Sequence, residues 1–507
     1  MFTLRPSDRI VDICTGALLV LMTVAGIREA SERPFWYDEI FTVLIAQLPD
    51  MPAVLGALSQ AADTSGPVFY ALVRITAGWA EPELAYRLVP VLASTITCAA
   101  LYLFARRDLG AAAGLTAVFM MMLSSLHHGF DVEARPYSLM VMFVAIAALA
   151  WQRASSWAWA VVLGLAAALA VGTHYYSIFA GIPFVIAESV YTVRRQHLRP
   201  GVWAALGMGA ISLAVCWPLL QTLRDYYGAT YYASATIGSA VASYDEVTSL
   251  GRGVGFGIAF SLGAAMLLLF VRLWPKDEDL EGHRPPPETL ALVMSLLAIP
   301  FIAVIISRVM NGGFTPRYAL GMLAGVGLSF AYASRALDPK KRTWLVLGLL
   351  AIVSSRELAF WASTADPVGR GAGPRFTSQQ QALARAKLHG LPIVVDDPLD
   401  CLPLAFYDTD PPARQPVCLT DPEAARRYIS TDSLDLDLLA LKPFVEHPIV
   451  EFAHFRQRHP EFLLLSHFGG ESWWPSRLVD DRFTLTVIER SADHALYRVQ
   501  SAELHPN

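Results

Sequence analysis

The sequence predicts a mainly α-helical membrane protein, a bundle of about 11 transmembrane helices followed by a small α/β domain. Of the 507 residues, 54% are hydrophobic and only 16% are charged, whereas soluble proteins carry about 25% charged residues. The apolar residues fall in runs of roughly 17–25, the length that spans a bilayer core, and the runs stop near Ala362. The net charge of −5 gives no basic footprint for nucleic acid.

The predicted spans are 9–27, 85–105, 110–126, 137–152, 157–173, 176–193, 201–223, 253–274, 289–307, 318–335 and 343–361. Segment 66–79 is apolar but short and carries Arg74, so it is predicted as an interfacial helix within the first outer loop, 28–84. The first span has no convincing small-residue cleavage site, which favours an uncleaved anchor over a signal peptide.

Basic residues predict the orientation, because they concentrate in every second loop. They are Arg5, Arg9, Arg106, Arg107, Arg153, Arg194, Arg195, Arg199, Arg272, Lys276, Arg284, Arg335, Lys340, Lys341 and Arg342. These loops are expected on the cytoplasmic side of a cell inner membrane. The odd number of spans then places the C-terminal domain outside the cytoplasm.

The sequence divides into a membrane domain, 1–362, and an extracytoplasmic domain, 363–507. The second domain alternates helical and strand patterns, with a helix over 378–389. Its β-rich runs predict strands that form a small α/β domain. The runs are 391–397, 416–420, 462–467 and 483–489, with 495–499 pairing with the last. No phosphate-binding glycine loop and no metal-ligand spacing occurs in its sequence.

The cysteines also separate by domain. Cys14, Cys98 and Cys216 lie within predicted spans, whereas Cys401 and Cys418 lie in the outer domain, where oxidation is permitted. A disulfide between these two is expected, and the alternative is two buried thiols on separate strands.

The unusual polar residues converge on the outer loops once the topology is assigned from the basic loops alone. They are Asp38, Glu39 and Asp63 in the first, His127, His128, Asp131, Glu133 and Arg135 in the second, His174, Tyr175 and Tyr176 in the third, and Arg308, Arg317 and Tyr318 before the tenth span. Paired carboxylates at a membrane surface suit proton abstraction or cation binding.

Each motif also has a structural explanation. The first-loop acids fit a solvated helix start beside an aromatic interfacial belt, and Asp63 fits a cap of the helix that begins near Pro67. Residues 131–135 could form a loop whose charges neutralise one another. Residues 174–176 could anchor the chain at the membrane surface through aromatic rings and a neutral histidine. Arg317 could be a snorkelling side chain at the end of a span.

Six motifs follow one another in an order that is typical of a known group. They are WYDEIFT (36–42), DTSGPVFYALVR (63–74), EPELAYRLVPVL (81–92), DVEARPYSL (131–139), THYYSIFA (173–180) and FTPRYALGM (314–322). Over roughly residues 30–320 the chain resembles bacterial membrane glycosyltransferases of the GT-C fold. These are related to protein mannosyltransferases, lipid A aminoarabinose transferases and lipopolysaccharide galacturonosyltransferases. The family usually has two prolines in the second motif, where this chain has Ser65-Gly66-Pro67.

The resemblance implies inverting transfer of a monosaccharide from a polyprenyl-phosphate donor to a hydroxyl of a cell-envelope glycolipid, polysaccharide or protein. It implies catalytic roles for Asp38, as general base, and Glu39. The residues expected at the donor phosphate are Arg135, Arg317, Tyr318 and His174, and those expected to position the acceptor or a cation are Asp63, Asp131, Glu133 and Tyr175. A divalent cation is left open as a cofactor.

Two other functions compete with this hypothesis. A secondary transporter usually places its acids near the bilayer midplane, whereas here the spans are nearly free of acids. A binding or assembly protein on a degenerate glycosyltransferase scaffold would share every motif and lack only the activity.

Overall fold

The computed structural model describes residues 6–228, 232–247, 285–310, 312–362, 374–467 and 472–501. The predicted span 253–274 lies outside the described residues. The chain forms two compact units. The first unit comprises Met1–Glu32, Ser65–Leu220 and Ala233–Gly369, and the second comprises Arg33–Thr64, Gln221–Tyr232 and Arg370–Asn507. The second unit therefore adds two segments, 33–64 and 221–232, to the C-terminal region.

The α-helices are, in chain order, α1 (Pro6–Glu32), α2 (Tyr37–Ala46), α3 (Met51–Leu58), α4 (Pro67–Thr76), α5 (Pro82–Leu109), α6 (Ala111–Met122), α7 (Ser125–Asp131), α8 (Tyr137–Arg153), α9 (Trp157–Thr173), α10 (Ile178–Arg195), α11 (Pro200–Tyr227), α12 (Ile237–Val247), α13 (Pro287–Leu297), α14 (Ile299–Val309), α15 (Met322–Ala336), α16 (Pro339–Ala362), α17 (Pro374–Lys387), α18 (Pro398–Phe406), α19 (Pro422–Ile429), α20 (Ser433–Leu441), α21 (Phe452–Arg458) and α22 (Trp474–Asp480). Short 3₁₀ helices cover Tyr175–Ser177, Pro316–Ala319, Pro412–Arg414 and Lys442–Phe444.

The first unit is a helical membrane bundle. Within the described residues, four helices are long and apolar enough to cross a bilayer, or up to six if each of two bent pairs is one span. The bent pairs are α6 with α7, at 81°, and α13 with α14, at 61°. Helix α1 exposes Ile13 and Val20 to its surroundings, as a lipid-facing helix does. The protein is therefore a multi-pass membrane protein.

Polar contacts join the ends of these helices at the predicted basic loops. They are Arg106–Asp12 (2.5 Å), Gln152–Asp108 (2.8 Å), Trp151–Glu188 (3.0 Å), Arg199–Glu188 and Arg195–Glu288 (3.2 Å). The start of α1 thus meets the end of α5, and the ends of α8 and α10 meet the start of α11. The turn that carries His174 lies at the opposite end of α9.

The C-terminal region of the second unit holds a six-stranded sheet in the order β3-β2-β1-β4-β6-β5. The strands are β1 (Ile393–Val395), β2 (Val417–Thr420), β3 (Ile449–Glu451), β4 (Glu461–His467), β5 (Phe483–Arg490) and β6 (His494–Ser501). Strands β1 to β4 pair in parallel, whereas β6 pairs antiparallel with both β4 and β5. This confirms the predicted α/β fold. Strand β3 was not predicted, because its three residues do not belong to a longer β-rich run, whereas β1 lies within the run 391–397.

Cys401 in α18 and Cys418 in β2 form a disulfide, with their Cα atoms 5.6 Å apart. The expected pairing is thus confirmed for this structure, and the alternative of two separate thiols is wrong. The bridge ties α18 to the sheet and closes a short loop, which restricts the unfolded chain.

Removal of this bridge is expected to destabilise the second unit by roughly 2–4 kcal/mol. The change is a double substitution, Cys401→Ser with Cys418→Ser, and the measurement is the unfolding temperature with and without reductant. Reductant should lower the wild-type value and leave the double variant unchanged, while Cys14→Ser, at an exposed free cysteine, should behave as wild type. Labelling of both thiols in unreduced, denatured protein would contradict the pairing.

Candidate functional site

Helix α2 begins at the WYDE motif and separates its two acids. Glu39 is fully buried, and its Oε2 accepts the Trp36 backbone N–H at 3.2 Å, so it caps the helix that it belongs to. Asp38 is only partly buried. The expected solvated helix start is therefore wrong for Glu39, and Asp38 is the more accessible carboxylate of the pair.

The aromatics beside these acids pack inside the second unit rather than forming a belt. Phe35 is fully buried; its ring meets Phe406 edge to face at 6.2 Å, and its N–H donates to the Tyr407 hydroxyl at 2.6 Å. Tyr37 is 2% exposed. The start of α2 is thus held by residues of the C-terminal domain, whose packing positions Asp38.

Two buried tyrosines of the second unit, Tyr37 and Tyr227, lie near further carboxylates. The Tyr227 hydroxyl donates to Asp437 Oδ1 at 2.6 Å and to the Ala61 carbonyl at 3.3 Å. Burial, and then the charges of Asp437 and Asp38, raise the pKa of Tyr37 well above its usual value. Asp437 therefore acts on both tyrosines, and Asp38 acts on Tyr37.

The residue at the cap position of α4 is Gly66 rather than Asp63. Asp63 Oδ1 accepts the Thr64 backbone N–H at 2.7 Å, whereas Gly66 makes no side-chain cap. A side chain at Gly66 would place its Cβ 2.2 Å from the Gly172 carbonyl oxygen. The backbone at Gly66 packs directly against the end of α9, where the Gly66 N–H donates to the Thr173 carbonyl at 2.8 Å. This close approach explains why the chain has glycine at a position where the family usually has proline.

Asp435 lies two residues before Asp437 on α20 and is expected to make the stability of the second unit depend on pH. Burial raises its pKa to about 7, although its Oδ1 accepts the Asp421 N–H at 2.7 Å. A carboxyl with a raised folded-state pKa loses stability as the pH climbs from its unfolded pKa, near 4, to its folded pKa. Above that pH the full cost of the buried charge is present.

Asp435→Asn is therefore expected to unfold at nearly the wild-type temperature at pH 4 and to be more stable at pH 8. The gain is about 2–4 kcal/mol, because each pKa unit corresponds to about 1.4 kcal/mol and the amide oxygen still accepts the same N–H. Thermal unfolding at both pH values measures it. A variant that is less stable than wild type at pH 8 would refute the assignment.

In the first unit, the short helix α7 contains the first residues of the predicted second outer loop. Ser124 caps this helix, because the Ser124 Oγ accepts the His127 N–H at 3.1 Å. His127 Nδ1 lies 3.0 Å from Asp131 Oδ1, which also accepts from Ser138 at 3.3 Å. His128 Nε2 lies 3.5 Å from Glu29 Oε2. Asp131 thus pairs with a histidine of its own helix, and the loop is more than a self-neutralising stretch.

The next residues of that motif are buried. Glu133 is 0% and Arg135 4% exposed, and the Arg135 N–H donates to the Glu133 carbonyl at 2.7 Å in a tight turn. A buried acid and a buried base this close in the chain are costly unless they are held by partners. Such placement is more typical of a functional site than of a surface loop.

Two 3₁₀ helices, Tyr175–Ser177 and Pro316–Ala319, bring the fifth and sixth motifs into contact. The rings of Tyr176 and Tyr318 stack at 4.2 Å with 9° between their planes, and His174 lies 5.1 Å from Tyr318 and 5.5 Å from Tyr137. His174 Nδ1 accepts the Tyr176 N–H at 3.3 Å, so Nε2 carries the proton of the neutral ring. Tyr175 is buried beside them.

Arg317 lies against this aromatic cluster. Its guanidinium carbon is 5.4 Å from the Tyr137 ring centre and 6.0 Å from that of Tyr318, and its Nε donates to Thr315 at 3.2 Å. A guanidinium fixed on aromatic faces is oriented for planar recognition of an oxyanion. This differs from the flexible, snorkelling arginine that was the alternative.

An apolar cavity of ≈ 150 Å³ lies between α8, α9, α10 and α11 in the first unit. Its lining includes Phe143, Leu163, Ile178 and Leu206, and it reaches Ser177, the neighbour of Tyr176. The aromatic and basic cluster therefore adjoins space that suits a hydrocarbon chain.

No group of three or more His, Cys, Asp or Glu side chains in the described ranges is arranged to hold a metal ion. The cation role considered for Asp63, Asp131 and Glu133 therefore gains no support from a ligand cluster in that part of the chain.

Residues 64–221 match the family described as dolichyl-phosphate-mannose-protein mannosyltransferase. ArnT from Cupriavidus metallidurans in the apo state superimposes with a TM-score of 0.58 at 13% identity, covering 97% of this chain and 98% of that one. The chain has the GT-C glycosyltransferase fold. The family match and this fold support membrane glycosyltransferase activity.

A second structure of the same GT-C protein, ArnT bound to undecaprenyl phosphate, gives a TM-score of 0.57 at 11% identity and covers 98% of this chain and 99% of that one. No curated protein matches the chain significantly. The fold likeness therefore extends over almost the whole of both GT-C chains, although few residues are shared.

Sequence reasoning missed Asp437 and Tyr227. The signal was the stretch SLDLDLLAL, 433–441, in which two acids interrupt an otherwise apolar helix. Acids at such positions are typically paired or functional.

Proposed function

We propose that this protein transfers a monosaccharide from a polyprenyl-phosphate donor to a hydroxyl group of a cell-envelope acceptor, with inversion at the anomeric carbon. The acceptor oxygen attacks that carbon, the bond from carbon to the phosphate oxygen breaks, and polyprenyl phosphate leaves. The acceptor proton passes to Asp38. The observation that carries the proposal is the guanidinium of Arg317, which lies over the Tyr137 ring in an aromatic cluster. Tyr176 of that cluster is followed in the chain by Ser177, which lines the apolar cavity.

The donor chemistry fits the first unit. A polyprenyl phosphate needs an apolar groove for its tail and cations at the membrane boundary for its phosphate. The cavity between α8 and α11 supplies the first, and Arg317 and Arg135 supply the second. His174 and Tyr318 add N–H and O–H donors that would stabilise the charge developing on the leaving phosphate. The undecaprenyl phosphate bound to the similar ArnT supports a donor of this class.

The acceptor chemistry fits the second unit. A phosphate is already a good leaving group, so the main remaining need is a base for the acceptor hydroxyl. Asp38 is the accessible acid and Glu39 caps its helix, while Asp437 accepts the Tyr227 hydroxyl and acts on Tyr37. Asp63 is proposed to help position the acceptor. In the first unit, Asp131, Glu133 and Tyr175 are proposed to position the substrates.

The direct test is sugar transfer by the purified protein in lipid nanodiscs. Mass spectrometry of envelope glycolipids and glycoproteins from cells with and without the gene would first identify the acceptor and the sugar. Transfer of that sugar from its polyprenyl-phosphate form, with inverted anomeric configuration in the product, is expected. Identical envelope profiles from the two strains, with no turnover of the donor, would refute the function.

The proposed activity requires the second unit outside the cytoplasm, at the inner membrane. A reporter that becomes active only after export is expected to be active when fused after Val499, because every second loop is basic and the number of predicted spans is odd. A fusion after Arg107, in a predicted cytoplasmic loop, is the matched control and should be inactive. Activity of the second fusion alone would reverse the topology.

A further inference from the structure

His127 is a buried residue of the first unit that the proposed reaction does not use. It is 2% exposed, and its ring Nδ1 lies 3.0 Å from Oδ1 of Asp131, four residues later on α7. A carboxylate only accepts hydrogen bonds, so Nδ1 carries the proton of this contact. Asp131, which is proposed above to position the substrates, has a side chain that is 16% exposed. The carboxylate is therefore the accessible member of the pair, and the histidine is the buried one.

The surroundings of His127 favour one task for its ring. Ser124 Oγ accepts the His127 backbone N–H at 3.1 Å and donates to the Val247 carbonyl at 2.6 Å, which ties the start of α7 to the end of α12. In the part of the chain that the structure describes, the buried Nε2 has no hydrogen-bond partner. A buried nitrogen without a partner is costly, so an apolar residue would serve packing better. The contact from Nδ1 to Asp131 is what a histidine adds here.

The contacts of Asp131 indicate what the carboxylate can bind. Ser138 Oγ also donates to Asp131 Oδ1, at 3.3 Å. Both donors, His127 and Ser138, thus reach the same oxygen, and Oδ2 can accept from another group. Ser138 follows Tyr137, whose ring centre is 5.4 Å from the Arg317 guanidinium carbon. A carboxylate near the proposed phosphate site repels the phosphate, so a hydroxyl of the substrate is the group that it suits.

We infer that His127 is a positioning residue for the sugar transfer. Its Nδ1–H holds the Asp131 carboxylate in one orientation, so that the second oxygen accepts a hydrogen bond from a substrate hydroxyl. This rests on the proposed function and adds a residue that acts on the substrate only through Asp131. Without the histidine the carboxylate would turn among its rotamers, and a misplacement of about 1 Å at such a contact can cost about 10²-fold in rate.

The test is the single-turnover rate of sugar transfer by the purified full-length protein in nanodiscs, at saturating donor and acceptor. His127→Phe keeps a buried ring and removes the donor, and it should lower the rate about 10- to 100-fold. His127→Asn should stay close to the wild-type rate, because its amide nitrogen is two bonds from Cβ, as Nδ1 is. His127→Gln places its nitrogen one bond further out and should be as slow as His127→Phe. His197→Phe, at an exposed histidine of the first unit, is the matched control and should be unchanged.

A double variant shows whether the histidine acts through the carboxylate. His127→Phe with Asp131→Asn should be no slower than Asp131→Asn alone. An additional loss in the double variant, a wild-type rate in His127→Phe, or no recovery in His127→Asn would overturn the inference. If His127→Phe fails to fold, the comparison of His127→Asn with His127→Gln carries the test.

A second measurement does not depend on sugar transfer. Nitrogen-15 NMR of protein labelled only at histidine identifies the His127 ring by the signals that His127→Asn removes. These signals are expected to show the proton on Nδ1 and to shift in Asp131→Asn. A proton on Nε2 alone would overturn the inference at any transfer rate. A protonated Nδ1 in a wild-type protein that transfers no sugar would overturn the proposed function and leave the hydrogen bond in place.

Discussion

Asp38→Asn is expected to lower the rate of sugar transfer by about 10²–10⁴, the usual contribution of a general base, while the protein stays folded. The amide has the size of the carboxylate but cannot take the acceptor proton. The side chain is partly accessible and its packing contribution is small, whereas the residues around it are buried. Single-turnover rates of the purified variant in nanodiscs, at saturating donor and acceptor, measure the effect on the chemical step.

Two further substitutions make that result specific. Glu39→Gln should lower the rate far less than Asp38→Asn, because the Gln oxygen can still accept the Trp36 N–H that Glu39 accepts now. Asp225→Asn, at an exposed acid of the second unit, should leave the rate unchanged. Wild-type turnover by Asp38→Asn would remove Asp38 from the mechanism, and a larger loss in Glu39→Gln would move the base to Glu39.

The sequence predicted the small α/β domain well because its strands are short β-rich runs between turn residues. It did not predict that segment 33–64 joins that domain in one compact unit. The apolar residues Phe35 and Tyr37 are equally compatible with a membrane interface, and the partner of Phe35, Phe406, lies far away in the chain. Local patterns hold no information on such a partner, so the aromatic belt was the natural but incorrect alternative.

Hydropathy predicted where apolar spans lie but not where the helices within them bend. The predicted span 110–126 continues as α6 and then turns by 81° into α7, because Ser124 caps the second helix and ends the first. The candidate residues of the second loop, Asp131 among them, consequently lie on a helix with its own hydrogen bonds. Individual roles at this site depend on such side-chain contacts, which follow from tertiary packing rather than from the order of the motifs.

The second large effect is expected at Arg317, whose replacement should weaken use of the donor. Arg308→Ala is the control for it. Arg308 lies at the end of α14, close in sequence to Arg317, and its Nε donates to the Ala235 carbonyl at 2.8 Å. Its exposed side chain makes no contact with the aromatic cluster among those described for it. The concentration of donor that gives half the maximal rate should therefore be unchanged in this variant.

Arg317→Ala is expected to raise that donor concentration about 10- to 100-fold, the value of one charged hydrogen bond, with little change in the acceptor dependence. Arg317→Lys should be nearly as impaired, because an ammonium neither stacks on Tyr137 nor presents a planar fork to a phosphate. Arg135→Ala should act in the same direction. If the donor dependence is unchanged in both alanine variants, phosphate binding by these arginines is excluded; if lysine restores it fully, only the charge matters and the stacked geometry does not.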